Sequence, residues 1–337
     1  MSDDAVTSNG AASAIVEGTL EWHFCTEADV PHLAQLRSAI EYVDDPIDQL
    51  DEQCILDDFH ALSPRPGFVS TVGFGPGGNA RAYGALEPDE HGRLWMRLGV
   101  HPANRDKGIG RALVRWVIRR AREWHHISAP GEELWIGFMH EDRQGPARPI
   151  LNEGFVADWW VFDAHRDLSV ALRETFSPPP GVTIAPCTME RLSKDVRVVV
   201  NRVLEHIAGS GTVSEEQWAS QLEQIREHLS WLAIDEETEA IIGFALNTVY
   251  NDETTGEPIE GWTLRLGVEP GARHLGIGAA LVSASANGFF EAGIPQAGLG
   301  VDTDDPHLAE EFFARCGYIA DDRVVRYVYR ELPAQEA

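Results

Sequence analysis

One segment of this chain occurs twice. Leu98-Gly99-Val100-His101-Pro102-Ala103-Asn104-Arg105-Asp106-Lys107-Gly108-Ile109-Gly110-Arg111-Ala112-Leu113-Val114 returns as Leu266-Gly267-Val268-Glu269-Pro270-Gly271-Ala272-Arg273-His274-Leu275-Gly276-Ile277-Gly278-Ala279-Ala280-Leu281-Val282. The offset from position 98 to 266 is 168, close to half of the 337 residues, so the chain reads as two copies of one domain. Each half, at about 160 residues, is long enough to bury roughly 70% of its unfolded surface and hold its own core.

Each copy has a physical order. An apolar run, Leu94 to Val100 or Thr263 to Val268, has the signature of a strand, and a proline then ends the ladder because it lacks an N–H. A loop with the spacing Arg-x-x-Gly-x-Gly follows. Beyond it, Ala112, Leu113, Trp116, Val117 and Arg120, and likewise Ala280, Leu281, Ser285 and Phe289, recur at helical spacing. Strand, glycine loop and helix start together form an anion cradle, because the first helical turn presents unpaired N–H groups and the positive end of the dipole. A single Gly-x-Gly is more often a tight turn with nothing bound. Two copies with the same Arg and both glycines favour a ligand. A dinucleotide fingerprint requires a third glycine where Leu113 and Leu281 stand, and no Gly-x-x-x-x-Gly-Lys-Ser/Thr occurs, which argues against a nucleoside triphosphatase.

Arg105-x-x-Gly108-x-Gly110 and Arg273-x-x-Gly276-x-Gly278, each after a Val-x-Pro strand end, resemble the pyrophosphate-binding segment of GNAT (GCN5-related) N-acetyltransferases. The resemblance covers most of both halves, and the layout is similar to two-domain members such as mycothiol synthase. It implies two tandem α+β domains of mixed sheet in a pseudo-twofold arrangement, with acetyl-coenzyme A as cofactor. Carried over, Leu98, Gly99 and Val100, and Leu266, Gly267 and Val268, supply strand contacts to the pantetheine arm. Arg105, Asp106, Lys107, Gly108, Ile109, Gly110 and Arg111 form one phosphate loop. Arg273, His274, Leu275, Gly276, Ile277, Gly278 and Ala279 form the other.

The flanks follow the family order. Glu21 to Cys25 and Val182 to Pro186 read as first strands, before helices over Ala28 to Ile40 and Met189 to Leu204. Central strands are expected at Gly67 to Gly73 and Ala80 to Leu86, matched by Leu229 to Ile234 and Ala240 to Thr248. The apolar strands Leu134 to Met139 and Gly298 to Val301 precede helices ending in Gly154-Phe155 and Gly317-Tyr318. Asp305 should cap the second of these helices ahead of Pro306, with an apolar face at Leu308, Phe312 and Phe313, whereas Pro146 and Pro149 should shorten or distort the first. Ser177-Pro178-Pro179-Pro180-Gly181 reads as a linker, giving domains at 19–176 and 182–337. Residues 1–18 read as a disordered acidic tail without the basic and apolar regions of a signal peptide.

Charge limits the partners. A net charge of −27 argues against nucleic acid and anionic membranes, and no apolar run reaches the length of a membrane span. Cys25, Cys54, Cys187 and Cys316 lie far apart, without metal-ligand spacing, and read as reduced core or strand residues of a cytoplasmic protein with no metal.

Acetyl transfer to an amine sets further demands. An alkyl amine of pKa ~10.4 is about 99.9% protonated at pH 7, so a base must remove a proton before the nitrogen attacks a thioester. Glu260, ahead of the strand and on the face of Trp262 and Leu264, is the best-placed carboxylate; the alternative is a solvated loop residue beside Glu257. In the first half only Asp89, Glu90 and His91 sit near the corresponding place. Many family members carry a Tyr four residues before the Gly-aromatic pair, where Phe313 and Ile150 stand here, so the leaving thiolate has another donor, such as Tyr318 or Tyr250, or leaves unassisted. The resemblance implies that the backbone N–H of Val268, or of Val100 in the first half, stabilises charge on the acetyl oxygen. Arg97 and Arg265 occupy equivalent positions with a structural or phosphate-proximal role.

The first loop is the more basic and should hold phosphates more firmly. The second half has the candidate base, and is expected to perform the transfer while the first binds acetyl-coenzyme A structurally. Variable segments at Ile40 to Leu62 and Ile207 to Gln224 should form acceptor pockets. The expected activity is N-acetylation of a small amine, in secondary metabolism, antibiotic biosynthesis or resistance, by a monomer built as an internal pseudo-dimer or by a homodimer. A non-catalytic acyl-coenzyme A sensor and a peptide or protein acetyltransferase are the alternatives.

Overall fold

The computed structural model describes residues 19–46, 49–141, 147–169, 176–206, 212–321 and 323–333. The expected tail, residues 1–18, lies outside them, as do Pro146 and residues 207–211 of the second expected acceptor segment. In chain order the first elements are β1 (Glu21–Phe24), α1 (Val30–Asp44), α2 (Glu52–Leu62), β2 (Val69–Phe74), β3 (Ala80–Pro88) and β4 (Leu94–Val100). They are followed by α3 (Ile109–Ser128), β5 (Leu134–Glu141), α4 (Arg148–Leu151) and β6 (Val156–Asp167). The second series opens with β7 (Val182–Pro186), α5 (Met189–Arg191), a π-helical turn (Leu192–Val196), α6 (Arg197–Leu204) and α7 (Glu215–Leu222). It continues through β8 (Trp231–Asp235), β9 (Ile241–Asn251), β10 (Pro258–Val268), α8 (Ile277–Glu291), β11 (Gln296–Thr303), α9 (Pro306–Arg315), β12 (Ile319–Ala320) and β13 (Val324–Glu331).

Two compact units result, and they are not the two linear halves. The N-terminal unit is Met1–Trp159 with Val324–Ala337, and the C-terminal unit is Trp160–Arg323. The N-terminal unit therefore takes its last strand, β13, from the end of the chain. The C-terminal unit takes most of β6 from before the linker. The expected boundary at 177–181 missed this, because it followed composition, whereas membership in a unit follows strand pairing. β13 is antiparallel to β5 along its whole length, from Val324↔Glu141 to Glu331↔Leu134. β6 is antiparallel to β11 from Trp160↔Thr303 to Asp167↔Gln296.

Within the N-terminal unit β1, β2, β3 and β4 are antiparallel neighbours, and β4 meets β5 in parallel. Helix α3 covers one face with Leu113, Trp116, Val117 and Ala121, all buried at helical spacing against Leu86, Leu94, Met96 and Ile136. Each such aliphatic or aromatic side chain contributes about 1.5–3 kcal/mol by leaving water. Pro149 stands at the start of α4, which is only four residues long, as the proline content implied.

The C-terminal unit repeats the plan. β7, β8, β9 and β10 are antiparallel neighbours, β10 meets β11 in parallel, and β12 adds to β6. Helix α8 buries Ile277, Leu281, Ala286 and Phe289 on the sheet, and the opposite face is covered by a cluster including Leu192, Val196, Trp218 and Leu246. The buried Asn247 side chain donates through Nδ2 to Leu229 O at 2.6 Å and to Ser285 Oγ at 2.9 Å beneath α8, while its Oδ1 is buried without a partner. Asp305 caps α9 by accepting from Leu308 N at 3.0 Å. Leu308 itself is 60% exposed, so the apolar face of α9 consists of Phe312 and Phe313 without it. Cys54 also departs from expectation: it lies exposed in the first turn of α2, where its N–H meets the cap Asp51. Among the described residues no helix is long and apolar enough to cross a membrane.

Candidate functional site

In each unit the parallel pair comes apart. β10 is paired with β11 only at Gly261↔Ala297, Trp262↔Gly298 and Thr263↔Leu299, and β4 with β5 only at Leu94↔Ile136 and Trp95↔Gly137. Leu266, Gly267 and Val268, and Leu98, Gly99 and Val100, thus lie beyond the last rung, with one edge open. Which backbone groups face the opening follows from alternation along a strand. Glu269 N donates to Ile242 O at 2.9 Å on the β9 side, while the Val268 carbonyl accepts from Arg273 Nε at 3.1 Å on the other. The N–H groups of Val268 and Leu266 therefore point away from β9 into the gap. His101 N to Arg81 O at 2.8 Å and Arg105 Nε to Val100 O at 3.3 Å set the same alternation for Val100 and Leu98.

The loops beyond the gap are alike in backbone. Gly108 and Gly276 hold φ of 81° and 88° as the residues ahead of α3 and α8, and neither helix has a side-chain cap. Asp106 and His274 also have positive φ, 60° and 65°. A Cβ at Gly108 or Gly276 would meet nothing within 4 Å, so glycine is needed there for the left-handed turn, with open space above it. The first intrahelical bonds are those of Ala112 N to Gly108 O and Ala280 N to Gly276 O. The preceding N–H groups of Ile109, Gly110 and Arg111, and of Ile277, Gly278 and Ala279, have no partner within their helices. These are the predicted cradle residues, together at a helix start of positive potential.

Electrostatics separate the two loops. Arg105 makes a bidentate pair with Asp44 at 2.7 and 2.6 Å, and the Asp44 side chain is 9% exposed. Arg111 and Arg115 share Glu153, and Lys107 donates to Ala103 O. The more basic first loop therefore has its charge taken up locally, contrary to its expected advantage in holding phosphate. Lys107, Leu275 and His274 are exposed loop residues. Arg97 pairs with Asp58 and Glu87, each at 2.8 Å, and burial raises the carboxyl pKa of Glu87 despite that partner. Arg265 donates to Gln221 at 3.1 Å, and burial lowers its pKa. Both arginines tie the sheet to its helices, the structural one of the two expected roles.

The strands before the gaps also differ. β3 and β4 keep one register from Ala82↔Val100 to Pro88↔Leu94, whereas β9 and β10 slip between Thr263 and Arg265, leaving Leu264 as an extra residue. The tryptophans opposite the first glycine of the next strand, Trp95 and Trp262, are consequently 167 positions apart, one fewer than the offset of the motif. By that count the position of Glu260 is occupied in the N-terminal unit by Arg93, whose guanidinium lies 5.3 Å from the centre of the Trp135 ring. Asp89, expected near that place, instead closes the β3–β4 turn by accepting from His91 N, Arg93 N and Trp95 Nε1. Glu90 and His91 are exposed beside it.

Glu260 lies within β10, not in a loop. Its side chain is 17% exposed, and Oε1 is 2.7 Å from His165 Nδ1. His165 Nε2 is 3.2 Å from Asp321 Oδ2, and the imidazole centroid is 5.7 Å from that of Trp262. Gly298 makes the space: a Cβ there would lie 2.5 Å from both Glu260 Oε1 and the Trp262 ring. Sequence reasoning missed His165, because it stands 95 positions from its partner with no local motif around it. Phe313 and Ile150 are 9% and 3% exposed and donate nothing. Tyr318 is buried with its hydroxyl unpartnered, and burial raises its pKa well above the usual phenol value, so it packs as core. Tyr250 is opposite Glu260 in register and half exposed, 6.0 Å from the Trp262 ring centre. In the N-terminal unit Leu50, Ile55, Phe59, Leu62, Tyr83 and Arg97 are among the residues lining a cavity of about 100 Å³, within reach of the first expected acceptor segment.

Two splayed parallel strand pairs, each followed by a glycine-led helix start, define a tandem acyltransferase fold. The family model of the acetyltransferase (GNAT) family matches residues 30–133 and again 201–318, and the chain belongs to that family. A solved GCN5-related N-acetyltransferase from Sphaerobacter thermophilus is 20% identical, with a TM-score of 0.61 over 96% of this chain and 99% of that one. A tandem GNAT protein from the clavulanic acid biosynthesis pathway is 18% identical, with a TM-score of 0.50 over 92% and 98%. At these identities the likeness is one of fold. No curated protein sequence matches the chain.

Proposed function

We propose that the protein is an acetyl-coenzyme A-dependent N-acetyltransferase acting on the amine of a small molecule in the cytoplasm, and that the C-terminal unit performs the transfer. The observation that carries this is the asymmetry of one register position: Glu260 stands on β10 just before the gap, where the N-terminal unit has Arg93. An arginine cannot accept a proton at neutral pH. The two motif arginines share the bond to the strand-end carbonyl, of Val100 and of Val268, but the Arg105 guanidinium is also held by Asp44.

The residues fit the cofactor. Arg273, His274, Leu275, Gly276, Ile277, Gly278 and Ala279 offer unpaired first-turn N–H groups and open space to a pyrophosphate. Leu266, Gly267 and Val268 offer a free strand edge to an amide-bearing arm. When bound, acetyl-coenzyme A supplies an acyl group activated as a thioester. Val268 and Leu266 hold N–H donors in the gap for a carbonyl oxygen. Glu260 takes a proton from the acceptor ammonium, freeing the nitrogen lone pair. A thiol pKa of ~8.5 lets the thiolate leave without Phe313 or Ile150 donating. In the N-terminal unit Leu98, Gly99, Val100 and the loop from Arg105 to Arg111 bind the same carrier without turnover. The likeness to a tandem protein of the clavulanic acid biosynthesis pathway supports a place in antibiotic biosynthesis or other secondary metabolism.

The test is thiol release by the full chain with acetyl-coenzyme A and a panel of polyamines, amino sugars and aminoglycosides. Amine-dependent release, reduced about 10²–10⁴-fold by Glu260→Gln with acetyl-coenzyme A affinity unchanged, is expected. Binding without release across the panel would instead make the protein a sensor.

A further inference from the structure

We infer that His165 is the positioning residue for Glu260, holding Oε1 through Nδ1 so that the other carboxylate oxygen, Oε2, receives the acceptor's proton. The inference rests on Glu260 being the base. His165 is contributed by β6, directly opposite Gly298, and the absence of a side chain at Gly298 lets Glu260 reach across β11 to the imidazole. Asp321 Oδ2 fixes the far side of the ring at Nε2, and the Trp262 ring packs at 5.7 Å. Exposure rises along the row, from 17% at Glu260 to 24% at His165 and 62% at Asp321, so the chain of contacts runs from the strand out to water.

The fold does not need this histidine. In the N-terminal unit the residue opposite the corresponding glycine, Gly137, is Val328, and the same sheet forms with valine there and arginine at the position of Glu260. Imidazole and carboxylate thus occur together in one unit and are absent together from the other. A pair this close to solvent contributes little to stability. Its effect is geometric: a carboxylate held by one hydrogen bond loses rotamer freedom before substrate arrives. In the step it serves, one N–H bond of the acceptor ammonium breaks, an O–H bond forms at Glu260 Oε2, and the electron pair stays on nitrogen. His165 keeps its own proton throughout.

Two substitutions separate the two ring nitrogens. His165→Asn places an N–H donor near the position of Nδ1, and His165→Gln near that of Nε2. The expected result with the full chain is a kcat near wild type for His165→Asn and about 100-fold lower for His165→Gln and His165→Ala. The KM for acetyl-coenzyme A and the melting temperature should hold constant across the three. Equal kcat values for the Asn and Gln variants, or losses that track KM and melting temperature, overturn the positioning role. Glu260→Gln is measured beside them: wild-type kcat in that variant removes the base itself, and this inference with it, whereas a dead Glu260→Gln beside indistinguishable His165 variants removes this inference alone.

Discussion

Replacing Gly298 by alanine adds one methyl group at the point where Glu260 and Trp262 cross β11. The new Cβ would stand 2.5 Å from Glu260 Oε1 and from two atoms of the Trp262 ring, where ordinary contact begins near 3.4 Å. Both side chains must retreat by about 0.9 Å, the difference between those distances. Overpacking of this kind costs about 1–3 kcal/mol. For a unit of this size that lowers the melting temperature by about 2–12 °C. A displacement near 1 Å of a group acting on the substrate costs about 100-fold in rate. Thiol release at saturating acetyl-coenzyme A should therefore fall about 100-fold below the melting transition, with KM for acetyl-coenzyme A unchanged. Gly300→Ala is the internal control, because its Cβ would find Asp163 Oδ1 at 3.5 Å and Trp262 at 3.9 Å, both ordinary contacts. If Gly298→Ala folds and turns over as fast as Gly300→Ala, Glu260 does not work from the position the sheet gives it.

Other perturbations read other parts of the molecule. Gly276→Val and Gly108→Val impose similar left-handed strain, about 1–2 kcal/mol each. Only the first should abolish turnover, and calorimetry should show each to remove acetyl-coenzyme A binding from its own unit; identical turnover in both variants refutes the division of labour. Glu331, at the end of β13, accepts from Arg122 and Tyr329, and chiefly the Arg122 hydrogen bond holds its pKa below the usual 4.5. Its stabilisation is thus present above about 4.5 and lost as the pH falls through the depressed folded value. Melting of the wild type should weaken over that acid window more steeply than melting of Glu331→Gln, and superimposable pH profiles count against the contact. Fragments 1–181 and 182–337, expressed separately, should fail to give cooperative thermal transitions, since each lacks a strand of its unit, β13 in the first case and β6 in the second. A sharp transition in either fragment contradicts the exchange.

Local physics was legible in the residues. The strand, loop and helix around each Gly-x-Gly, the cap at Asp305 and the shortness of α4 all depend on neighbours within one turn. What was not legible is long in range. A single bulge residue, Leu264, shifts the two copies by one position, so counting back from the motif leads to Gly92, near Asp89, Glu90 and His91, when the pairing of Trp95 and Trp262 puts Arg93 at the place of Glu260. Asp44 reaches Arg105 from 61 positions away, and no spacing in the loop reveals that its charge is spent. His165 reads as a residue of the first copy, yet its partner belongs to the second.

The traded strands also bear on synthesis. A ribosome making this chain completes β5 at Glu141 and then adds residues 142–323, 182 residues, before β13 begins at Val324. At about 5–20 residues per second that is a delay of about 9–36 s. Throughout it the newborn N-terminal unit has an open hydrogen-bonding edge along β5, of the kind that recruits stray strands from other chains. Leu134–Glu141 thus waits without its β13 partner until Val324–Glu331 emerges, and a stop codon just ahead of Val324 would strand the first unit rather than the second.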